Sequence, residues 1–282
     1  MRIAIASGKG GTGKTMVATN LTWTAARGGD KTAYIDCDVE EPNGHIFLKP
    51  DIENVREGTM AFPVVNMDTC TGCGACAELC RYKAIILLSE KPLVFPEMCH
   101  ACGGCMLVCP VDAITYSDRG IGAIETGTAF GAQFIQGRLD VGQVLSPPLI
   151  RQVKKLIPDD GLTILDSPPG TSCPVIETVH GADYAVLVTE PTPFGLNDMK
   201  LAVEMLNVLR IPFGVFINRA DIGTRDTVKF CEKHALPVLA SLPDDRRIAE
   251  AYSNGMLAAE MFPDIREMFI SFYAVLKEKV RA

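Results

Sequence analysis

Eight cysteines between positions 70 and 109 constrain the fold of this chain more than any other feature of its sequence. They form two runs with identical spacing: Cys70, Cys73, Cys76 and Cys80, then Cys99, Cys102, Cys105 and Cys109. Each cysteine of the second run follows its counterpart in the first by 29 residues, and an Ala-Ile pair repeats at the same offset, at 84–85 and 113–114. The sequence therefore contains a duplicated unit of regularly spaced thiols.

The spacing resembles that of bacterial ferredoxins, in which two such runs bind two [4Fe–4S] clusters. The resemblance implies that three closely spaced cysteines hold one cluster, while the fourth cysteine of the same run holds the other. Pro110 follows the second run as in that pattern, whereas Arg81 follows the first. The two expected ligand sets are Cys70, Cys73, Cys76 and Cys109, and Cys99, Cys102, Cys105 and Cys80.

Zinc and disulfides fit these cysteines less well. Structural zinc takes four ligands per ion, usually as two separated pairs, and two runs of four with an internal repeat do not follow that arrangement. Disulfides belong to oxidising compartments, and the sequence begins with a strand and a loop rather than a secretory signal. We therefore expect iron–sulfur clusters in a reducing cytoplasm.

A second motif lies at the start of the chain. Residues 2–6 are apolar and β-branched and predict a buried strand, and residues 16–26 predict a helix. The segment between them, Ser-Gly-Lys-Gly-Gly-Thr-Gly-Lys-Thr at 7–15, is a P-loop, which binds ATP through backbone N–H groups at a helix N-terminus. We expect Lys14 to reach the β- and γ-phosphates and Thr15 to bind Mg²⁺. The remaining predicted nucleotide-binding positions of the loop are Gly8, Lys9, Gly10, Gly11, Thr12 and Gly13.

The P-loop carries an additional lysine, Lys9, and resembles that of the MinD/ParA class of ATPases, which includes the nitrogenase iron protein and the Mrp-type cluster carriers. Three later segments, at 33–42, 162–170 and 213–219, resemble the other motifs of that class in the same order. The resemblance implies that Lys9 crosses a dimer interface to the partner's nucleotide. Within one subunit we see no task for Lys9 that Lys14 does not fill.

The same resemblance implies roles for residues outside the P-loop. Asp38 would orient the attacking water, while Asp36 and Asp166 would lie beside the magnesium ion. Asn218 would read the adenine, and Pro243 belongs to a loop that also lines the base.

Strand signals at 2–6, 32–36, 162–166, 184–189 and 213–217 alternate with helical stretches, which predicts a doubly wound, mostly parallel α/β sheet. The cysteine region interrupts this pattern. We therefore predict a P-loop ATPase domain at 1–60 and 119–282, with an inserted ferredoxin-like α+β iron–sulfur domain at 61–118. The glycine-rich return segment 120–142 is interpreted as a connecting hairpin.

The net charge and the distribution of apolar residues bear on whether this chain binds nucleic acid or a membrane. A net charge of −7 and an isoelectric point near 5.2 disfavour non-specific nucleic-acid binding. No uninterrupted apolar run reaches the length of a membrane span. The C-terminal stretch 265–281 is amphipathic, and MinD proteins use such a helix on membranes. We favour a helix that packs on the sheet, since lysines on a polar face are ordinary in soluble proteins.

Three cysteines lie outside the repeat. Cys37 and Cys231 are expected in the core. Cys173, three residues after the segment at 162–170, is compatible with two interpretations: a cysteine that holds a cluster between subunits, as in the nitrogenase iron protein, or a small buried residue. We favour the second, because the motif spacing differs from that protein and no clear second cysteine accompanies Cys173. His100 lies between two predicted cluster ligands and is either a hydrogen-bond donor to a cluster or simply exposed.

These motifs are compatible with two classes of function. The first is an ATPase whose nucleotide-dependent dimerisation is coupled to electron transfer, or to assembly and delivery of a metal cluster to a client protein. The second is a positioning or scaffold ATPase in which the clusters are structural. The paired cluster motif favours the first, because a structural role needs only one metal site.

Overall fold

The computed structural model describes residues 1–281, which divide into two compact units. The first comprises 1–56, 124–138 and the described residues from 150 to 281, and the second comprises 57–123 and 139–149. The second unit thus contains the whole predicted insert, 61–118, together with three short segments outside it, 57–60, 119–123 and 139–149.

Eleven strands and eleven α-helices make up residues 1–281, together with a 3-10 turn at Pro96–Met98. The strands are β1 (Arg2–Ala6), β2 (Thr32–Asp36), β3 (Asp51–Val65), β4 (Ile85–Leu88), β5 (Lys91–Val94), β6 (Ile114–Ala129), β7 (Ala132–Leu139), β8 (Leu162–Asp166), β9 (Tyr184–Thr189), β10 (Phe213–Asn218) and β11 (Val238–Leu242). The helices are α1 (Lys14–Arg27), α2 (Gly44–Leu48), α3 (Ala75–Leu79), α4 (Gly104–Leu107), α5 (Pro147–Lys154), α6 (Cys173–Val179), α7 (Pro193–Leu209), α8 (Asp226–Lys233), α9 (Arg246–Ser253), α10 (Ala258–Met261) and α11 (Pro263–Arg281).

Nine strands form one sheet in the order β11-β10-β9-β1-β8-β2-β7-β6-β3. Every pairing from β11 to β7 is parallel, with β1 between β8 and β9. The predicted doubly wound, mostly parallel α/β sheet is therefore confirmed. The strands end at one edge, where the P-loop follows β1, Asp36 ends β2 and Asp166 ends β8. Ligands of open α/β sheets bind at this edge.

The glycine-rich segment 120–142 contains a hairpin, as predicted, but its strands belong to the large sheet. Phe130 and Gly131 join β6 to β7 with φ of 52° and 84°. Two consecutive positive φ values are typical of the type I′ turn that suits a twisted hairpin. β7 then pairs in parallel with β2. Tertiary pairing has made this segment part of the sheet, which its low charge and glycine content alone do not reveal.

The C-terminal helix packs in the core of the first unit. Phe269, Phe272 and Leu276 on α11 are fully buried, in one cluster with residues of α1 and the sheet. Phe216 of β10 meets Phe272 edge to face, with ring centroids 5.1 Å apart. The apolar face of α11, which suggested membrane binding from the sequence, is thus packed against the protein itself. None of the helices in the described chain has the length and apolarity to span a membrane.

The second unit contains a small antiparallel hairpin of β4 and β5 with α3 and α4. One cluster of buried residues in this unit consists of Ile85, Ile114 and Cys105. The N–H of Asn66 donates to the carbonyl of Ala113 at 2.8 Å, which ties the two ends of the cysteine region together. This unit is held by few large side chains, so we expect it to depend on what its cysteines bind.

Candidate functional site

The P-loop passes directly from β1 into α1, which begins at Lys14. Gly11 and Gly13 adopt φ of 77° and 95°, which L side chains rarely do. At Gly8, where φ is ordinary, a Cβ atom would overlap the backbone of Asp198. Different glycines thus serve different needs, a left-handed turn or a close approach of two backbones. The resulting loop presents the N-terminus of a 14-residue helix, which favours phosphate.

A cavity of about 340 Å³ lies over the P-loop within the first unit. Its volume falls in the range of small-molecule sites. One end is lined by P-loop residues and by Asp38, and the other by Asn218 and the segment after β11. Its lining includes Gly10, Gly11, Gly13, Lys14, Thr15, Asp38, Asn218, Arg219, Pro243, Ile248 and Tyr252.

Lys14 is the buried cation of this site, with 7% of its surface exposed. Burial lowers its pKa, while the charges of Asp166 and Asp38 oppose that shift. A lysine held among carboxylates at the floor of the cavity suits the predicted contact with the β- and γ-phosphates. The role itself remains a prediction.

Asp36 and Asp166 lie side by side at the ends of β2 and β8, as direct partners in the register. The hydroxyl of Tyr34 lies between them, 2.9 Å from Oδ2 of Asp166 and 3.5 Å from Oδ2 of Asp36. Burial raises the pKa of both carboxyls, and for Asp36 the charge of Asp166 adds to it. Such closely spaced buried carboxylates call for a cation.

The magnesium site predicted at Thr15 and Asp166 has a chemically suitable donor set, since Mg²⁺ prefers oxygen ligands. Oδ1 of Asp166 is buried and has no hydrogen-bond partner within residues 1–281. Asp36 differs. Its Oδ1 accepts the N–H of Asp38 at 3.1 Å, and its Oδ2 accepts the N–H of Gly44 at 3.0 Å. Asp36 therefore holds the loop after β2, in addition to lying beside Asp166, where the magnesium ion is predicted.

Asp38 lines the cavity on the loop that Asp36 holds. Its pKa is raised to about 7, mainly because of burial and then because of the charge of Asp166, against the opposing effect of Lys14. A partly buried carboxylate at the phosphate end is placed to accept a hydrogen bond from water. This arrangement is compatible with its predicted role in orienting the nucleophile.

The other end of the cavity contains the predicted base-binding residues. The Nδ2 of Asn218 donates to the carbonyl of Thr12 at 2.9 Å, which binds the end of β10 to the P-loop. An amide nitrogen carries two hydrogens, so one remains for a ligand. Pro243 lines the same end together with Ile248 and Tyr252, which no sequence motif had indicated. These side chains give the cavity apolar lining, which suits an aromatic ring.

Lys9 has an ion-pair partner within its own chain, contrary to our expectation that it has no task there. Its Nζ lies 3.6 Å from Oε2 of Glu190, and Nη1 of Arg219 lies 3.2 Å from Oε1 of the same carboxylate. Glu190 follows β9 and is only 6% exposed. A buried carboxylate needs cations, and these two side chains supply them.

Sequence analysis did not identify Tyr34 or Glu190 as site residues, and only for Tyr34 does the sequence contain a pattern that could have indicated it. Tyr34 and Asp36 are two apart on one strand, so their side chains point to the same face. Nothing local connects Glu190 to Lys9, because the pair joins the ends of different strands. Only the sheet order brings β9 next to β1.

The cysteines of the second unit surround two separate cavities. One is lined by Cys70, Cys73, Cys76 and Cys109, and the other by Cys80, Cys99, Cys102 and Cys105. These are the same two sets of four as in the sequence-based interpretation. In each set the fourth cysteine comes from the other run of the repeat.

The donor chemistry of each cavity fits an iron–sulfur cluster. Backbone N–H groups point at sulfur: Ala101 donates to Cys99 at 3.3 Å, and Ala113 donates to Cys109 at 3.2 Å. In residues 1–281 no group of three or more His, Cys, Asp or Glu side chains is arranged to hold a metal ion. The four thiolates of a cubane cluster bind four different irons, so they stand farther apart than the ligands of one ion.

The three remaining cysteines divide between core and surface. Cys37 and Cys231 are buried, as predicted. The expectation for Cys173 is wrong, because this residue is exposed in the first turn of α6. Helix geometry turns that position outward, while Val175 and Val179 take the buried face. His100 is exposed and stacks on Tyr82, with ring centroids 3.5 Å apart.

A P-loop at the carboxyl edge of a parallel sheet, with acidic side chains beside it and a cavity above it, defines a P-loop nucleotide-binding protein. Residues 3–258 match the model of the CobQ/CobB/MinD/ParA nucleotide binding domain, and the chain belongs to this family. It is accordingly a nucleotide-binding ATPase of the MinD/ParA type.

Similar proteins include an uncharacterised protein of Methanocaldococcus jannaschii, 31% identical over 280 residues that cover 99% of this chain and 97% of that protein. An iron–sulfur cluster carrier protein of Aquifex aeolicus is 25% identical over 299 residues, covering 99% and 68%. The septum site-determining protein MinD of Pyrococcus horikoshii, solved with Mg-ADP, has a TM-score of 0.62 at 21% identity, covering 96% and 93%. The last likeness is one of fold.

Proposed function

We propose that this protein is an ATP-hydrolysing iron–sulfur protein. In this proposal, nucleotide-dependent dimerisation is coupled to electron transfer, or to assembly and delivery of a metal cluster to a client. The cofactors would be ATP with Mg²⁺ and two [4Fe–4S] clusters, which supply one-electron redox chemistry when bound. The carrier function of the Aquifex aeolicus relative supports the cluster-delivery form.

The grouping of the cysteines carries the proposal. Two cavities in one small unit are each lined by four thiols, and each set draws its fourth member from the other run. This interleaving is the arrangement that two ferredoxin-type clusters require. The inserted ferredoxin-like domain, predicted at 61–118, is part of the proposal.

In this proposal, the residues in and near the P-loop bind and hydrolyse ATP. Lys14 binds and neutralises the terminal phosphates, and Thr15 and Asp166 hold the magnesium ion. Asp38 orients the attacking water. These contacts supply positioning and charge stabilisation, which account for most of phosphoryl-transfer catalysis.

Dimerisation would make use of Lys9. With 31% of its side chain exposed, Lys9 lies at the surface of its own subunit and can leave Glu190. In the dimer its ammonium group would contact the phosphates of the nucleotide bound to the partner. Each nucleotide would then be enclosed by both subunits.

One strand connects the two chemistries along the chain. β3 begins shortly after the loop that carries Asp38 and runs unbroken to Val65, five residues before Cys70. A loop that responds to the γ-phosphate therefore lies on the same connection of the chain as the cysteine region, and such a switch can affect segments that follow it. This path supports coupling between nucleotide state and the cysteine region.

The test is anaerobic iron analysis of reconstituted protein, combined with ATP binding. We expect about eight irons per chain, from two clusters of four. One zinc per chain, or fewer than four irons, would overturn the cluster assignment. A positioning or scaffold ATPase is distinguished by redox behaviour, since its clusters would not be reduced by a low-potential donor and re-oxidised by an acceptor.

A further inference from the structure

Tyr116 on β6 makes two polar contacts at one of the cysteine cavities. The N–H of Gly103 donates to its phenolic oxygen at 3.1 Å, and that oxygen lies 3.4 Å from Sγ of Cys105. The ring is half-buried and lines the cavity of Cys80, Cys99, Cys102 and Cys105. A tyrosine hydroxyl is therefore directed at one of the thiols that, in the proposed function, bind a cluster.

The direction of the hydrogen bond follows from the available protons. The phenolic oxygen already accepts the N–H of Gly103, and it carries one hydrogen of its own. A cysteine that binds iron is a thiolate and has no proton to give. In the cluster-bound protein Tyr116 must therefore donate to Cys105.

The repeat provides an internal comparison. Tyr116 lies 11 residues after Cys105, and the residue at the same offset from Cys76 is Leu87. Each side chain also lies near the equivalent glycine: a Cβ on Gly74 would lie 3.4 Å from Cδ2 of Leu87, and the N–H of Gly103 donates to Tyr116. Leucine has no hydrogen to donate. The duplicated unit thus carries a donor on one side and an aliphatic side chain on the other.

The second cavity, which Tyr116 lines, also has more polar and charged residues around it than the first. Besides its cysteines, the first is lined mainly by aliphatic residues, among them Val65, Leu87 and Pro92. The second has apolar lining residues too, Pro63, Leu79, Ala84 and Ile85, but it is also lined by Arg81, Tyr82, His100 and Tyr116. Reduction adds negative charge to a cluster, and a hydrogen-bond donor or a nearby cation stabilises that charge. Both differences favour reduction at the second cavity.

We propose that Tyr116 is a positioning residue that raises the reduction potential of the cluster bound by Cys80, Cys99, Cys102 and Cys105 above that of its neighbour. This inference rests on the proposed function, because it requires both clusters to be present. If its potential is the higher one, an electron delivered to the protein resides mainly on the cluster next to Tyr116. The two halves of the repeat, though similar in sequence, are then not equivalent.

The test is a redox titration of the reconstituted full-length protein, followed anaerobically by electron paramagnetic resonance. We expect two separate midpoint potentials in the natural protein. Tyr116→Phe, which removes only the hydroxyl, should lower the higher potential and reduce the separation. A tenfold change in the reduction equilibrium corresponds to about 59 mV for one electron. The matched control, Leu87→Phe, places the same ring at the equivalent position and should leave the higher potential unchanged.

Iron content separates the possible failures. If the natural protein lacks iron, the proposed function fails. If Tyr116→Phe retains about eight irons, the content of two four-iron clusters, and both potentials are unchanged, the inference is overturned while the proposed function stands. Should Tyr116→Phe lose iron, 3-fluorotyrosine at position 116 keeps the ring and makes the hydroxyl a stronger donor. That replacement should raise the same potential, and an unchanged value would overturn the inference.

Discussion

The ammonium of Lys9 lies 3.6 Å from the buried carboxylate of Glu190, so the lysine predicted to act on a partner subunit is engaged within its own. Dimerisation across the nucleotide would require Lys9 to exchange this carboxylate for phosphate. Glu190 would remain paired with Arg219, which contacts its other oxygen. The negative charge of Glu190 thus opposes the release of Lys9. Once Lys9 has left, Glu190 is still paired with Arg219.

Weakening this pair should favour the dimer. In an Asp38→Ala background that prevents hydrolysis, Glu190→Gln should tighten ATP-dependent dimerisation by a few-fold, since partly exposed ion pairs contribute about 0.2–1 kcal/mol. Analytical ultracentrifugation with ATP measures the effect. Arg219→Gln leaves the Lys9 pair intact and should not tighten the dimer. A weaker dimer in Glu190→Gln, or dimerisation that survives Lys9→Ala, would contradict the exchange.

Phosphate binding and water orientation should separate by mutation. Lys14→Ala should abolish binding of Mg-ATP, because no other buried cation lines the phosphate end of the described cavity. Asp38→Ala should bind ATP and fail to turn it over. Isothermal titration and phosphate release measure the two quantities, with Lys31→Ala, an exposed lysine paired to Asp160, as the control. Equal loss of binding in Lys14→Ala and Asp38→Ala would show that the role of Asp38 is wrong.

Removing the hydroxyl of Tyr34 should destabilise the nucleotide-free protein. Tyr34→Phe leaves Oδ2 of Asp166 without its 2.9 Å donor. An unsatisfied buried polar group costs about 1–3 kcal/mol of the free energy of unfolding. Bound Mg-ATP should reduce the loss, because a cation at Oδ1 would stabilise the negative charge of the same carboxylate. Chemical denaturation with and without Mg-ATP measures both, and Tyr184→Phe on β9 is the matched control. A loss of stability that bound Mg-ATP leaves unchanged would contradict a metal position at Asp166.

Single cysteine replacements should affect the two clusters separately. Cys76→Ser should lose mainly the cluster of its own set, and Cys80→Ser should perturb the other. Iron analysis and electron paramagnetic resonance of reconstituted variants distinguish these outcomes. Cys173→Ser is the control, since that thiol is exposed on α6 of the first unit. Identical spectra for Cys76→Ser and Cys80→Ser would argue against interleaved ligand sets.

Nucleotide and redox state should influence each other equally. If ATP binding changes the cluster potentials, reduction must change ATP affinity by the same factor, typically equivalent to about 1–3 kcal/mol. The affinity for a non-hydrolysable ATP analogue, measured for oxidised and reduced protein, tests this directly. Indifference of each site to the other would mean that the two modules merely share a chain.

Much of the first unit was predictable because its signals are local. The five predicted strands recur as β1, β2, β8, β9 and β10 with nearly the same bounds. Short apolar runs between glycine-rich turns and helical stretches define such strands without any long-range information. The P-loop could also be predicted from the sequence, since its glycines and lysines all lie within the short segment 7–15. The grouping of cysteines into two sets also needed only spacing and a duplicated pattern.

Other features depended on neighbours that no local pattern specifies. The pairing of β7 with β2 placed the glycine-rich hairpin in the main sheet. The outward face of α6 exposed Cys173, where composition suggested a buried residue. Both outcomes reflect competition among packing partners across the whole chain, which overrides the preference of any short segment.

By itself, then, the sequence of this protein determined its strands, its phosphate loop and the grouping of its thiols into two sets, because each is a matter of residue type and spacing within a few tens of positions. Tertiary structure alone decided which carboxylate holds Lys9, that Tyr34 lies between Asp36 and Asp166, and that Tyr116 faces Cys105. These contacts are set by strand order and turn geometry. An ion pair or hydrogen bond forms only where folding brings the two groups within a few ångströms, whatever their separation along the chain.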